Sequence, residues 1–114
     1  MSGDSVELLS ELGTGMGKLQ GDTPELLAAF VQMDQAAYVE GDLERKVKEL
    51  IGFGIALAVR CEYCMNIHIK NALEEGATRE EILEAAAVGV AFGGSPSMAY
   101  LSTTVLKALE AFEE

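Results

Sequence analysis

The sequence holds few of the residues that carry chemistry. Among its 114 residues there are two cysteines and one histidine. Basic residues are also scarce, with 8 Lys and Arg against 19 Asp and Glu, for a net charge of −11. No cluster of Lys and Arg exists to neutralise phosphates, which argues against a nucleic-acid partner. The same lack argues against an anionic membrane surface. No apolar run approaches the roughly 20 residues of a membrane span; the longest, Ile51 to Val59, has the length of a buried helix. Met1 to Leu12 lacks a basic region followed by a continuous apolar one, so no secretory signal is expected. Two cysteines without an export signal point to a cytoplasmic protein. There a C-x-x-C is catalytic or metal-binding more often than structural. Strand-like alternation is absent too.

Helical periodicity fills almost the whole chain. The length is that of one domain. The expected fold is all-α, a single-domain bundle of about six helices. Segment 1–22 reads as an N-terminal helical arm and 23–114 as the domain proper. The arm carries Val6, Leu8, Leu9, Leu12, Met16 and Leu19, weakened by Gly13, Gly15 and Gly17. It is expected to fray or to be ordered by a partner chain. Gly21-Asp22-Thr23-Pro24 stops it and opens a second helix, to about Val39. Gly41 ends that helix and Asp42 is expected to cap a third, Leu43 to about Val59. The second half of this third helix is apolar on nearly every side, as in a helix buried all round. A fourth helix follows from Cys61 to Glu75, stopped by Gly76. Thr78-Arg79-Glu80-Glu81 forms a capping box that opens a fifth helix to Phe92. Gly93-Gly94 closes it, and Ser95-Pro96 opens the last helix, to Phe112. An apolar fraction of 49% is high for so short a chain. It fits burial between subunits and equally an Ala-rich core.

All the scarce residues converge on one place. Both cysteines and the histidine lie in Cys61-Glu62-Tyr63-Cys64-Met65-Asn66-Ile67-His68. Two thiols at i and i+3 can close into a disulfide and reopen. His68, four residues after Cys64, lies on the same helical face and can take its proton. Cys61 stands at the helix start, where unpaired N–H groups and the macrodipole favour thiolate. The cluster reads as a redox dithiol with a built-in base.

Such a base needs an orienting carboxylate. The third and fourth helices are joined by almost no loop. If they fold back antiparallel about a corner near Ala58 to Cys61, Glu49 and His68 are equidistant from it and meet. Gly52 and Gly54 would let the two backbones approach. Glu62 lies on another face, and Glu44 falls outside the register.

Glu49, eleven residues, Cys61-Glu62-Tyr63-Cys64, three residues and His68 make an E-x11-C-x-x-C-x-x-x-H pattern. It resembles the signature of the alkylhydroperoxidase D-like proteins, within the carboxymuconolactone decarboxylase family. Gly76, Glu81, Ala85-Ala86-Ala87 and Gly93-Gly94 add to the likeness, which covers about Phe30 to Phe112. The resemblance implies an all-helical fold and a peroxidatic or disulfide-reducing centre. It implies Cys64 as the activated thiol, Cys61 as its disulfide partner, and His68 and Glu49 as a proton relay. A peroxide or disulfide would be the substrate, and a protein or lipoamide-like dithiol the electron donor. No cofactor is implied. Because the chain holds one copy of the helical unit, a homo-oligomer is implied too, with a hexamer favoured. The name-giving decarboxylases typically lack the two cysteines, so their activity does not carry over with the motif.

Other readings use the same residues. Cys61, Cys64, His68 and Glu49 are a plausible zinc or iron set. A non-redox lyase on the same fold is a third class. Tyr63 reads as a packing residue, with a hydrogen-bond donor at the site as the alternative, and Met33, Met65 and Met98 read as core or interface fillers. Ser95 and Ser97 read as helix-start residues, since no second histidine exists to serve them.

Overall fold

Helix stops and starts written in the sequence set the order of elements. The structure, a computed structural model, describes residues 2–113, with side chains from residue 4 onward. The outermost residues of the expected segments, Met1 and Glu114, lie outside it. The helices are α1 (Ser2–Asp22), α2 (Pro24–Tyr38), α3 (Arg45–Val59), α4 (Glu62–Glu74) and α5 (Arg79–Gly93). A sixth rod joins α6 (Ser95–Tyr100), a π-helical turn (Leu101–Val105) and α7 (Leu106–Phe112). Among the described residues there is no strand. The fold is all-α, as the periodicity requires.

The core lies where α3, α4, α5 and the sixth rod meet. Phe53 and Leu57, Met65 and Ile69, Ile82, and Val105 and Leu109 are fully buried there. Each fully buried apolar side chain of this size contributes roughly 1.5–3 kcal/mol. α3 and α5 approach so closely that a Cβ built on Gly89 would stand 2.7 Å from the Gly54 carbonyl oxygen and 3.3 Å from Leu57 Cβ. The capping box at the start of α5 is complete. Thr78 Oγ1 accepts from the Glu81 N–H at 3.1 Å, and Glu81 Oε1 accepts from the Thr78 N–H at 2.9 Å. The Thr78 N–H and then Lys46 hold the Glu81 carboxyl below its ordinary range.

Four expectations need correction. The arm does not fray: α1 packs on α4 and α7 of its own chain, with Ser5 buried and Leu8, Leu9, Leu12 and Met16 half-buried. Its glycines face open space and disturb nothing. Asp42 does not cap α3. The Leu43 carbonyl accepts from the Gly41 N–H at 3.2 Å, so the helix begins after Glu44 instead. Nor is the second half of α3 buried all round. α4 covers one side and α5 another, leaving Ile51, Ile55 and Val59 as an exposed stripe. Lastly, the final helix is broken by its π turn. There the Ser102 and Thr103 hydroxyls both donate to the Ala99 carbonyl, at 2.9 and 2.8 Å. Side-chain bonding of this kind competes with the helical ladder, and π turns interrupt α-helices as single turns.

Much apolar surface stays uncovered. α2 buries none of its residues, and Leu26 and Met33 are 69% and 58% exposed. A groove of about 530 Å³ runs between α3 and α5, walled by Ile51, Ile55, Ala58, Ala85, Val88 and Phe92. Among the described residues no helix is long and apolar enough to cross a membrane.

Candidate active site

The corner between α3 and α4 is where the site is made. Arg60 takes the left-handed conformation, φ 62° and ψ 45°, and ends α3. Its N–H reaches the Ala56 and Leu57 carbonyls, and the Cys61 N–H reaches Ala56 O at 3.0 Å. These bonds satisfy the last carbonyls of α3 and turn the chain back at once. The corner falls within the expected stretch.

Cys61 is the N-cap of α4, and its sulfur accepts from the Cys64 N–H at 3.2 Å. The two sulfurs are bonded to each other, with Cα atoms 5.3 Å apart. Both cysteines are half-buried. The disulfide thus lies against the positive end of α4. Reduction would leave a thiolate where unpaired N–H groups and the helix dipole stabilise negative charge.

His68 follows one turn after Cys64. Its Nδ1 lies 2.7 Å from Glu49 Oε1, the contact that the hairpin register requires. The Glu49 side chain is only 3% exposed and that of His68 16%. An ionised carboxylate only accepts, so Nδ1 carries the proton toward Glu49 and Nε2 of the neutral ring is an acceptor. Burial strengthens this charge-assisted bond.

Sequence reasoning missed one member of the cluster. Tyr38, the last residue of α2, stacks on the imidazole with ring centroids 5.1 Å apart and 24° between planes. Its hydroxyl stands 3.3 Å from Nε2. Burial first, and then the charges of Glu49 and Asp34, push the Tyr38 phenol above its ordinary value. Gly52 makes room for the pair. A Cβ there would overlap the Tyr38 hydroxyl and lie 3.1 Å from His68 Cε1. The glycine was legible as a point of close approach; the tyrosine it admits was not.

The remaining candidates go elsewhere. Glu62 accepts from the Thr104 hydroxyl at 2.9 Å. Tyr63 is tied by its hydroxyl to Glu11 of α1. Ser97 is buried, and its hydroxyl donates to the Leu57 carbonyl at 2.9 Å. Met65 is core, whereas Met33 and Met98 are exposed. Among the described residues no group of three His, Cys, Asp or Glu side chains is placed to hold a metal ion. With the sulfurs bonded to each other, the zinc or iron set foreseen as an alternative does not form in this state.

Known proteins share both the sequence and the shape. Residues 24–111 match the carboxymuconolactone decarboxylase family. An uncharacterized protein of Cupriavidus necator is 34% identical over 113 residues, covering 99% of this chain and 96% of its own. A carboxymuconolactone decarboxylase family protein from Legionella pneumophila superposes with a TM-score of 0.85 at 36% identity, over 96% of this chain and 95% of that one. A family protein of Thermotoga maritima, for which a part in the antioxidative response has been suggested, gives 0.80 at 29% identity, over 90% and 87%. Sequence match and fold agree, and this chain belongs to the carboxymuconolactone decarboxylase family.

Proposed function

We propose that the protein is a thiol-dependent peroxidase or disulfide oxidoreductase. One observation carries this reading: a Cys61–Cys64 disulfide at the start of a helix, one turn before a histidine paired with a buried glutamate. The suggested antioxidative role of the Thermotoga relative supports it. In the peroxidase reaction Cys64 gives up its proton to His68, and Glu49 supports the imidazolium. The thiolate attacks one oxygen of a hydroperoxide. The O–O bond breaks, the leaving alkoxide takes a proton, and Cys64 becomes a sulfenic acid. Cys61 then attacks that sulfur, the disulfide forms and water leaves. A protein or lipoamide-like dithiol returns the two electrons by exchange. In the oxidoreductase reaction a partner's disulfide takes the place of the peroxide.

The test is intact mass. Reduced protein given one equivalent of an organic hydroperoxide is expected to lose two hydrogens rapidly. No loss there and none with disulfide substrates would overturn the reading. The relay has its own test. His68→Gln and Glu49→Gln are each expected to raise the pH needed to alkylate Cys64, because each weakens proton acceptance. Profiles that stay put in both variants would remove the relay.

We also propose that several copies assemble, a hexamer being favoured. The unburied α2 and the apolar groove between α3 and α5 support this. Light scattering is expected to give a multiple of the 12.1 kDa chain, and a monomer would sink the proposal.

A further inference from the structure

Tyr38 comes from a helix that buries none of its residues, yet its ring is laid against the one histidine of the chain. Two separate contacts are involved. The phenol ring stacks on the imidazole, and the hydroxyl reaches Nε2. Gly52 leaves the space that the hydroxyl occupies. Since the Glu49 carboxylate accepts from Nδ1–H, the Nε2 lone pair is open to a donor, and the Tyr38 O–H is that donor.

We infer that Tyr38 is a positioning residue for His68: its ring fixes the imidazole plane, and its hydroxyl occupies Nε2 in the oxidised protein until a reduced thiol displaces it. This rests on the reading of His68 as the base of Cys64. In the disulfide form there is no thiol proton to accept, and an unoccupied lone pair in a half-buried site would be costly. Tyr38 fills it. On reduction the Cys64 thiol competes with Tyr38 for the same nitrogen. The titratable groups facing the imidazole are Glu49 from α3 and Tyr38 from α2, with Cys64 one turn earlier on α4. Asp34, one turn before Tyr38, adds its charge to that of Glu49 around the phenol.

Because His68 is the only histidine, its ring nitrogens can be read without assignment ambiguity. The experiment records the imidazole ¹⁵N resonances of the oxidised full chain as wild type, Tyr38→Phe and Tyr38→Leu. It also records the pH profile of Cys64 alkylation in the reduced forms. Wild type is expected to show a protonated Nδ1 and a hydrogen-bonded Nε2. Tyr38→Phe keeps the stacking ring, so Nδ1 should hold its value while Nε2 moves to that of an unbonded acceptor. Tyr38→Leu should lose ring order as well, and Phe should restore that order without restoring Nε2. The alkylation profile of Tyr38→Phe should move to lower pH, since the competing donor is gone. An Nε2 resonance unchanged between wild type and a folded Tyr38→Phe overturns the assignment of Tyr38. A moved Nε2 with an unmoved alkylation profile leaves the hold of Tyr38 on the ring standing. It overturns the competition between Tyr38 and the thiol for Nε2, whereas the reading of His68 as the base of Cys64 falls only with an unmoved profile in His68→Gln.

Discussion

Cys64→Ser is expected to abolish turnover of organic hydroperoxides, by on the order of a thousandfold or more. The sulfur removed is the one that lies a turn before His68, and no other thiol can take its place. Cys61 is the N-cap of α4, and its sulfur is directed at the Cys64 N–H. It is suited to resolving a sulfenic acid on Cys64 and has no base one turn on. The contrasting variant is therefore informative. Cys61→Ser should still consume a first equivalent of peroxide, at Cys64, and then stop without forming a disulfide. Mass spectra after a single equivalent separate the two. Should Cys64→Ser keep its turnover while Cys61→Ser loses it, the roles of the two thiols would have to be exchanged.

Gly89→Ala is expected to destabilise the fold by about 2 kcal/mol, the scale of forced overpacking in a well-packed core. The added methyl would meet the Gly54 carbonyl at 2.7 Å. That atom is backbone, so it cannot swing aside as a side-chain end can. The helices must part, and the fully buried Leu57, also against Gly89, loses contact as they do. A drop in Tm on the order of 10 °C would follow for a domain of this size. Gly52→Ala makes the instructive comparison. Its methyl overlaps the end of a tyrosine side chain, which can move. Stability should change less there, while the Tyr38–His68 contact is lost. Equal melting temperatures for Gly89→Ala and wild type would mean that α3 and α5 are not held at this separation.

The reach of the sequence followed the reach of local rules. Glu49 and His68 could be paired in advance because two helices and a tight corner fix their separation along the chain. The capping box of α5 and the punctuation at Gly21 to Pro24 were legible for the same reason, since each is settled within four residues. Tyr38 was not, because the bend at residues 39–44 lies between it and α3. No periodicity carries register across such a bend. Its place among the apolar residues of α2, at helical spacing, carries no sign of the site. The π turn at Leu101–Val105 comes with two hydroxyls bonded back to Ala99, which helical spacing does not report. The stripe of Ile51, Ile55 and Val59 misled in the other direction. Hydrophobicity says that a face is to be covered, but not whether the same chain covers it.

The corner at Arg60 has a consequence for how the chain can change. Three turns of α3 and one left-handed residue set the distance from Glu49 to Cys61, and one turn of α4 sets the distance from Cys64 to His68. The eleven intervening residues work as a measuring rod whose length is set by their number. Substitutions along the rod, such as at Ile55 or Val59, leave its length alone. A single residue inserted into α3 would turn everything before it by about 100° relative to the thiols. Glu49 would then swing out of reach of the imidazole with no atom of either side chain altered. Substitution and insertion are therefore different kinds of injury here, and only the second one miscounts.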